Sequence, residues 1–363
     1  MPQTLPRPLL SAKRNSIAAS IARIPTRREN LCHFIRFSCI SNDQPSGRFH
    51  LGNYMGALEN WVRLQHEYEC FFSIVDLHAL TSSYADTSKL QENVMEMAID
   101  WLSAGIDPEK NVIFVQSHVK EHAELALLLG MSTPLSWLER VPTYKDKIRD
   151  LEGTNKDLHT YGFLGYPVLM AADIMLYKAT CVPVGEDQTA HLELTREIVR
   201  RFNHMYKTDL FPEPQAVYSK AKVLPGIDGR KMSKSYGNTI PFGASAEELW
   251  QQVRMMTTDP KRIKKTDPGD PDVCIVYQFH KVFNTEEAND IAAKCRAGEI
   301  GCVQCKKLLT EKMNNMLADI HIRREELSKK PGYIKEVLEF GAQRARVEAE
   351  KNMAEIKAAM NIW

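Results

Sequence analysis

The stretch YPVLMAADIMLYKATCVPVGEDQTAHLELT, residues 166–195, predicts the main features of the fold by itself. Apolar residues recur in its first half at intervals of three and four, which is the spacing of a buried helix. A short apolar run, CVPV, and the turn Gly185-Glu186-Asp187-Gln188 follow, ahead of a second helical segment over 189–206. Helix, strand, turn and helix in this order favour a parallel sheet flanked by helices.

One ionisable residue, Asp173, lies in the middle of the apolar face of the first helix. A buried carboxylate costs several kcal/mol unless neighbouring groups donate hydrogen bonds to it. Asp173 is therefore either a structural cap or ion-pair partner, or a binding group. Polar clusters at 44–53 and 231–235 have the composition of nucleotide-handling loops, and their presence favours the second interpretation.

Length and composition set the outer bounds. A chain of 363 residues is long enough for two domains, each with its own core. The formal charge of +1 and pI near 7.6 give no global signal for nucleic acid, so any such surface is a local patch. No apolar run approaches the ~18–20 residues of a membrane span, and we expect a soluble protein.

Residues 1–36 differ from the rest of the chain. They combine serines and small apolar residues with a single acid, Glu29, and the basic residues Arg7, Lys13, Arg14, Arg23, Arg27, Arg28 and Arg36. This composition predicts a mitochondrial transit peptide, and hence a location in the mitochondrial matrix. The alternative is a disordered basic tail on a cytoplasmic protein.

The first predicted strand, FIRFSCIS (34–41), runs through a turn into Arg48-Phe49-His50-Leu51-Gly52-Asn53 and then into a predicted helix over 54–68. Strand, glycine-containing turn and helix aim backbone N–H groups and the positive helix end at a phosphate. Gly52 lets a nucleotide approach the backbone, and His50 and Asn53 can donate to phosphate oxygens.

The alternation of strands and helices continues to residue 235. The sequence predicts a strand over 71–81 that ends in Asp76 and His78, helices over 89–104 and 119–130, and a strand over 111–117. Residues 131–160 are predicted as helix plus loop, with Trp137, Arg140, Tyr144, Lys145 and Lys147 on a solvated face. The carboxyl ends of such strands are where open α/β sheets bind ligands.

From 236 the predicted elements are all helical: 245–257, 271–283, 285–297, 302–328 and 331–360. We therefore expect the α/β class, with a Rossmann-like doubly wound parallel sheet as the catalytic domain over 37–235 and a C-terminal α-helical domain over 236–363.

Lys231-Met232-Ser233-Lys234-Ser235 lies in a glycine-flanked loop between the two predicted domains. Two lysines and two hydroxyl groups within five residues suit a leaving pyrophosphate, where charge builds in the transition state. A lysine-rich loop that is only solvated surface is the alternative.

Cys274, Cys295, Cys302 and Cys305 are spaced C-x20-C-x6-C-x2-C. In a reducing compartment these residues stay thiols. Three interpretations remain open: four buried cysteines, a tetrahedral zinc site, and an iron–sulfur cluster.

Three motifs together resemble the tryptophanyl-tRNA synthetases in their bacterial and organellar form, which are class I aminoacyl-tRNA synthetases. They are PVLMAADIMLY followed by VPVGEDQTAHLELTREIVRRFN, the H-L-G-N variant of H-I-G-H after QPSG, and the intact K-M-S-K-S loop. The resemblance covers roughly 41–360. It departs from the family at Asn42-Asp43, where the family has Gly-Ile.

The resemblance implies an ATP- and Mg²⁺-dependent enzyme that forms tryptophanyl-adenylate and passes tryptophan to tRNA(Trp). The implied catalytic group is His50, Asn53, Lys231 and Lys234. Implied ATP contacts are Gln44, Pro45, Ser46, Gly52, Asn53, Gly185, Glu186, Asp187, Val223 beside the adenine, Lys231, Met232, Ser233, Lys234 and Ser235. Implied tryptophan contacts are Asp173 at the indole N–H, Gln188 at the ammonium, His78, Tyr166 and Met170.

The resemblance also implies partners. Family members are symmetric dimers, and their counterpart of 131–160 borders the dimer interface and the tRNA acceptor arm. The helical domain reads the anticodon, and its most obvious basic patch here is Lys261, Arg262, Lys264 and Lys265. Some bacterial members carry a [4Fe–4S] cluster on nearly the same cysteine spacing, which favours iron–sulfur over zinc.

Three other functions fit parts of the pattern. A tyrosyl-tRNA synthetase shares the fold, but Asp173 in A-A-D-I favours tryptophan. A small-metabolite adenylyltransferase also uses an H-x-G-H turn, but the helical segments after the K-M-S-K-S loop argue against it. A non-catalytic RNA-binding relative would not need the lysines and histidine that the motifs retain.

Overall fold

A parallel sheet lies at the centre of the fold. The structure, a computed structural model, describes residues 36–40, 45, 49–150, 158–218 and 224–363. Across these residues the sheet has five strands: β1 (Arg36–Ile40), β2 (Glu69–Ile74), β3 (Val112–Val115), β4 (Cys181–Val184) and β5 (Gln215–Tyr218).

The strand order is β3-β2-β1-β4-β5, and every neighbouring pair is parallel. The chain therefore builds outward in one direction from β1 to β3 and then returns to place β4 on the other side of β1. This reversal between β1 and β4 is the topological switch point, beside which open α/β sheets bind ligands at the carboxyl ends of the strands.

Helices follow or precede each strand and predominate after residue 245. They are α1 (51–64), α2 (Asp76–Ser83), α3 (Leu90–Ala104), α4 (Glu121–Gly130), α5 (Leu135–Glu139), α6 (Pro142–Asp150), α7 (Tyr161–Leu176), α8 (Thr189–Tyr206), α9 (Ala246–Met255), α10 (Ile275–Phe283), α11 (Ala288–Arg296), α12 (Cys302–Ser328) and α13 (Pro331–Met360). None of the helices that the structure describes is long and apolar enough to cross a membrane.

Both faces of the sheet are covered. In β3, Ile113 and Val115 join one buried apolar cluster while Val112 and Phe114 join another. Alternate residues of a strand point to opposite faces, so a strand that is apolar throughout requires helices on both sides. The predicted doubly wound α/β fold, with a helical C-terminal part, is confirmed.

The predicted strand over 71–81 was too long. The strand ends at Ile74, and helix α2 begins at Asp76. The Asp76 carboxylate accepts from the backbone N–H of Leu77 at 3.0 Å, and an acidic group in the first helical turn is favoured by the helix dipole. The strand β5 lies in a segment for which the sequence had predicted no element.

The predicted helix over 54–68 was also placed too late. Helix α1 begins at Leu51 and passes through a π-helical turn, Tyr54–Leu58, before an α-helical end, Glu59–Leu64. The H-L-G-N motif is therefore the first turn of the helix, and not a loop ahead of it.

The last helix, α13, closes against the sheet. A Cβ atom on Gly341 would overlap the carbonyl oxygen of Ile113 in β3, so only glycine allows this approach. Arg344 donates to the carbonyl of Asn111 at 2.8 Å, and the buried Asn352 donates to the carbonyl of Leu176 at the end of α7 at 2.8 Å. The division of the chain at 235/236 into two domains remains a prediction, and α13 contacts the sheet directly.

Candidate active site at the switch point

Two polar turns meet at the switch point between β1 and β4. The segment that contains His50 and Gly52 follows β1, and Gly185–Gln188 follows β4. Because all strands are parallel, these turns lie at the same edge of the sheet. The described residues thus confirm that the turn after CVPV follows a strand and opens a helix, α8.

His50 and Asn53 cap the first turn of α1 reciprocally. The Asn53 N–H donates to Nδ1 of His50, and the His50 N–H donates to the side-chain oxygen of Asn53, each at 3.2 Å. This is a capping box with histidine and asparagine in the two positions. It holds both side chains at the positive end of the helix, where a phosphate is stabilised.

His50 is neutral at physiological pH. Burial and then the charge of Lys234 lower the pKa of His50 to about 4. Since Nδ1 accepts from Asn53, the proton of the neutral ring is on Nε2, which can donate to a phosphate oxygen. The electrostatic interaction with Lys234 also shows that the structure brings the H-L-G-N and K-M-S-K-S motifs together.

Gly52 lies against the lysine loop. A Cβ atom there would be 3.0 Å from Nδ1 of His50 and 3.3 Å from the sulfur of Met232. Met232 itself is buried, whereas Lys231 and Lys234 on either side are exposed. Met232 thus anchors the loop beside Gly52, and both lysines are exposed to solvent, with Lys234 close enough to His50 to affect its pKa.

The buried side chain of Asn238 organises this loop. Its amide oxygen accepts from the Ser233 N–H at 2.8 Å, and its amide nitrogen donates to Asp228 at 2.8 Å and to the carbonyl of Lys231 at 3.1 Å. Gly226 must be glycine, because a Cβ atom there would overlap the Asn238 amide. One amide thus fixes the backbone on both sides of Met232.

Asp173 lies in the middle of α7 and is 1% exposed. Its carboxylate accepts from Nε2 of His78 at 2.9 Å, from the amide of Gln116 at 2.7 Å and from Nδ1 of His122 at 2.6 Å. His78 follows β2, Gln116 follows β3 and His122 is on α4. Three neighbouring elements therefore converge on one carboxylate.

These donors keep Asp173 ionised despite its burial. Burial alone would raise the pKa of the carboxyl group, but the charge and hydrogen bond of His122, followed by those of His78, outweigh it and lower the pKa to about 2. Tyr177 completes the network, with its hydroxyl 2.8 Å from Nε2 of His122. Burial and then the charge of Asp173 raise the pKa of Tyr177 well above its usual value, so this hydroxyl keeps its proton.

Gln116, His122 and Tyr177 were missed at the level of sequence. A signal for Gln116 was available, because it lies near the carboxyl end of the strand predicted over 111–117, at the ligand-binding edge. His122 was also detectable as a polar residue three and seven positions before Leu125 and Leu129 on the buried face of α4. His78 was expected at the end of a strand and lies instead in α2, yet it still reaches Asp173.

The remaining predicted contacts lie around this network. Met170 is buried one turn before Asp173, and the hydroxyl of Tyr166 is 2.6 Å from Nε2 of His191. Gln188 donates to the carboxylate of Asp187 at 2.9 Å. Glu186 and Asp187 are exposed, and Gly185 faces the Asp187 carboxylate so closely that a Cβ atom there would be 2.5 Å from its oxygen.

Several predicted residues lie outside the described residues. Pro45 is described and buried, and its carbonyl accepts from Asn93 at 2.6 Å. Gln44, Ser46, Val223, the Asn42-Asp43 pair and residues 1–35 of the leader are outside the described residues, as is the side chain of Ser235, whereas Arg36 is the first residue of β1.

The four cysteines of the helical part are free thiols that interact electrostatically. Burial and then the neighbouring residues Cys274, Cys295 and Cys302 raise the pKa of the Cys305 thiol to about 12. Within the described residues, no three His, Cys, Asp or Glu side chains lie close enough together to hold a metal ion. The iron–sulfur cluster therefore stays a prediction.

Arg262 departs from the expected basic patch. Its guanidinium lies 3.6 Å from the sulfur of Cys295 and 4.0 Å from that of Cys302, and it donates to the carbonyls of Lys265 and Ile300. Lys261, Lys264 and Lys265 remain exposed. The arginine thus faces the cysteines, and the lysines face solvent.

The match to known proteins covers most of the chain. Residues 35–318 match the family model described as tRNA synthetases class I (W and Y). A tryptophan–tRNA ligase from Thermotoga maritima is 51% identical over 89% of this chain and 98% of its own length. One from Aquifex aeolicus is 43% identical over 89% and 99%.

Solved structures agree. A tryptophanyl-tRNA synthetase from Campylobacter jejuni, complexed with ADP and tryptophan, superposes with a TM-score of 0.81 at 36% identity, over 90% of this chain and 99% of the other. A tyrosyl-tRNA synthetase from Archaeoglobus fulgidus superposes with a TM-score of 0.59 at 18% identity, which shows a shared fold only.

Proposed function

Because this chain belongs to the class I tRNA synthetases for tryptophan and tyrosine, and within them to the bacterial-type tryptophanyl-tRNA synthetases, we propose that it attaches tryptophan to tRNA(Trp) in two steps. A carboxylate oxygen of tryptophan attacks the α-phosphorus of ATP, which forms tryptophanyl-adenylate and releases pyrophosphate. A hydroxyl of the terminal tRNA ribose then attacks the acyl carbon, and AMP leaves.

The observation that carries the choice of amino acid is the buried, ionised Asp173. The indole ring has one polar hydrogen and no acceptor, and an ionised carboxylate is an acceptor with about four lone-pair positions. His78, Gln116 and His122 hold the carboxylate in place. The indole N–H would add a charge-assisted hydrogen bond to this preorganised group.

The activation step needs charge stabilisation more than covalent chemistry by side chains. Neutral His50 would donate from Nε2 to the triphosphate, and Asn53 would bind beside it at the helix N-terminus. Lys231 and Lys234 would stabilise the leaving pyrophosphate. Mg²⁺, when bound with ATP, would neutralise part of the phosphate charge.

ATP–pyrophosphate exchange tests this function directly. Exchange that depends on tryptophan and not on tyrosine is the expected result, followed by charging of tRNA(Trp). Tyrosine-dependent exchange would favour the tyrosyl alternative. Activity without any amino acid would favour an adenylyltransferase, and no activity would favour a non-catalytic relative.

For tRNA, we propose a contact along the groove between α9 and α12. Cavities of about 450 and 430 Å³ adjoin there, and Trp250 lines both of them. An indole surface can stack with a base, and Lys307 beside it can contact a phosphate. Trp250→Ala should raise the KM for tRNA about tenfold while leaving ATP–pyrophosphate exchange unchanged, since stacking is worth ~1–3 kcal/mol. An unchanged KM would remove the groove from the tRNA site.

We also propose a symmetric dimer. Leu127, Met131, Leu135 and Tyr161 are 55%, 74%, 62% and 77% exposed. Exposed apolar side chains grouped in one region commonly mark an interface. Light scattering should give twice the chain mass, and Met131→Glu combined with Leu135→Glu should give monomers. A monomeric wild type would exclude the dimer.

A [4Fe–4S] cluster is proposed on Cys274, Cys295, Cys302 and Cys305. The donor set fits in kind: Cys274 precedes α10 and its sulfur accepts from backbone N–H groups, while Cys302 begins α12. The Arg262 guanidinium, 3.6 Å from the sulfur of Cys295, would offset part of the negative charge of four thiolate ligands. Such a cluster would supply a structural crosslink beside the tRNA groove. Protein purified anaerobically should absorb near ~400 nm and hold about four iron per chain. Colourless protein without iron or zinc would leave four free thiols.

The mitochondrial matrix is the proposed location, on the composition of residues 1–36. Residues 1–40 fused to a fluorescent protein should direct it to mitochondria, and a matched fusion with the leader arginines changed to glutamine should stay diffuse. Diffuse signal from both fusions would remove the proposal.

A further inference from the structure

The histidine turn and the segment that follows the lysine loop are joined by backbone pairing. His50 pairs antiparallel with Pro241, which lies six residues after Ser235, the last residue of the lysine loop. The Leu51 N–H donates to the carbonyl of Ile240 at 2.9 Å, and a second hydrogen bond of 2.8 Å links residues 242 and 49. We call residues 49–51 and 240–242 the motif bridge. This bridge ties the histidine turn to the segment that directly follows the lysine loop.

A buried ion pair lies directly beneath the motif bridge. Asp100 of α3 is 1% exposed and accepts from Nε of Arg324 of α12 at 2.7 Å. Asp100 also accepts from the backbone N–H of Phe49, the first residue of the bridge. Arg324 uses a second nitrogen to bind Glu96, one turn earlier on α3. The Arg324 guanidinium therefore binds two carboxylates at once and fixes the position of Asp100, which holds the motif bridge.

Helix α12 contacts the other side of the bridge as well. A Cβ atom on Gly243 would overlap the Arg324 side chain, so the backbone of residue 243 packs directly against the guanidinium. His321, three residues earlier on the same helix face, hydrogen-bonds the carbonyl of Phe242. The 240–242 strand and Gly243 thus contact one turn of α12, and the 49–51 strand is linked to the same turn through Asp100.

The same helix begins at the cysteines. Cys302 and Cys305 lie in its first turn and Arg324 lies near its end, so ~33 Å of continuous helix separates them. A continuous helix fixes the distance between its two ends more firmly than a loop does. Helix α12 therefore sets the position of the motif bridge relative to the tRNA groove.

We propose that Arg324 is a positioning residue for amino-acid activation. Through Asp100 and Gly243 it holds the motif bridge in the position at which His50 and Lys234 contact the same phosphates. This inference rests on the proposed function. Arg324 touches no substrate, and its effect is on the geometry of groups that do.

Arg324→Met tests the proposal against a matched control, Arg323→Met. Arg323 joins the same two helices through a 2.7 Å hydrogen bond to the carbonyl of Ser103, but no described hydrogen bond ties it to the motif bridge. We expect Arg324→Met to lower kcat for tryptophan-dependent exchange about 10- to 100-fold, since misplacement by about 1 Å costs that much. The KM for tryptophan should change less than about threefold, because Asp173 is untouched.

Arg323→Met should keep kcat within about threefold while losing comparable thermal stability. Equal kcat values in the two variants would overturn the proposal, because a structural role affects only stability. If Arg324→Met does not fold, Arg324→Lys carries the test: lysine keeps the charge but cannot bind Asp100 and Glu96 as a fork. Its kcat should also fall, and a wild-type kcat would overturn the proposal.

Asp100→Asn supplies an independent check. If both residues act through one link, the double variant Asp100→Asn/Arg324→Met should lose no more in kcat than the worse single variant. If the two residues act separately, the fold losses in kcat of the single variants should multiply in the double variant. Failure of the proposed function is distinguishable, because the wild type itself would then lack tryptophan-dependent exchange.

Discussion

His122 donates from Nδ1 to the carboxylate of Asp173 across 2.6 Å, and the two side chains are 0% and 1% exposed. A carboxylate only accepts, so Nδ1 of His122 carries a proton, and Nε2 on the other side of the ring is 2.8 Å from the hydroxyl of Tyr177. The tyrosine thus holds the ring in place, and the ring orients the carboxylate. An acceptor prepared in this way needs no rearrangement when a donor arrives.

Replacing the acceptor should therefore weaken recognition of tryptophan. Asp173→Ala is expected to cost roughly 2–4 kcal/mol in kcat/KM for tryptophan, because a buried indole N–H would lose a charged partner. Steady-state exchange kinetics measure this. Asp259→Ala removes another carboxylate that binds backbone N–H groups, away from the switch point, and should leave kcat/KM for tryptophan unchanged. A loss of less than about threefold at Asp173 would exclude its assigned role.

The lysine loop should act on the transition state. Lys234→Ala is expected to lower kcat for activation by ~10²-fold or more with little effect on the KM for tryptophan, because charge develops on the pyrophosphate as it leaves. Lys231→Ala should behave in the same way. Lys329→Ala, an exposed lysine paired with Glu325, serves as the control. An increased KM with unchanged kcat would make the loop a binding lid.

His50 predicts a specific pH dependence of stability. Its pKa is about 4 in the folded protein and near 6.5 in the unfolded chain, so the unfolded state binds more protons between these values. Stability contributed by the neutral ring is therefore present above pH 6.5 and lost as the pH falls toward 4. Denaturant titrations should show this loss in the wild type and not in His50→Asn, which keeps a helix cap. Lys234→Ala should reduce this loss of stability. If the free energy of unfolding depends on pH equally in the wild type and His50→Asn, the lowered pKa of His50 would be contradicted.

The contact of α13 with the sheet predicts a severe effect of one methyl group. Gly341→Ala would push a Cβ atom onto the carbonyl oxygen of Ile113 and should cost more than about 2 kcal/mol of unfolding free energy. Gly332→Ala in the same helix meets nothing within 4 Å and should be neutral or stabilising by up to ~1 kcal/mol. Chemical denaturation of both variants measures the difference. Similar denaturation midpoints for the two variants would contradict the close contact between Gly341 and Ile113.

The sequence predicted those features that depend on local patterns. The helix around Asp173, the turn after β4 and the all-helical C-terminal part each follow from spacing within one segment. The end of β2 was misplaced because Val75-Asp76-Leu77-His78 continues an apolar alternation. What ends the strand is a contact far along the chain, where Asp76 accepts from the N–H of Ser117.

The network around Asp173 shows the same limit for the site. Its donors come from three elements that are adjacent only because β2 and β3 are neighbours in the sheet and α4 packs on α7. Motif recognition identified the carboxylate and His78. Gln116 and His122 carried local signals, but their meeting with Tyr177 around Asp173 required the tertiary structure, because no spacing in the sequence connects these residues.

The position of Gly341 has a consequence for protein synthesis. Strand β3 is an edge strand, and the helix that covers it is encoded far later in the chain. While the ribosome is still translating the helical part, the edge of β3 lacks its cover, and an open edge can pair with another chain. A messenger truncated after α12 should therefore yield a polypeptide with an open β3 edge, which is more prone to aggregate than the full chain.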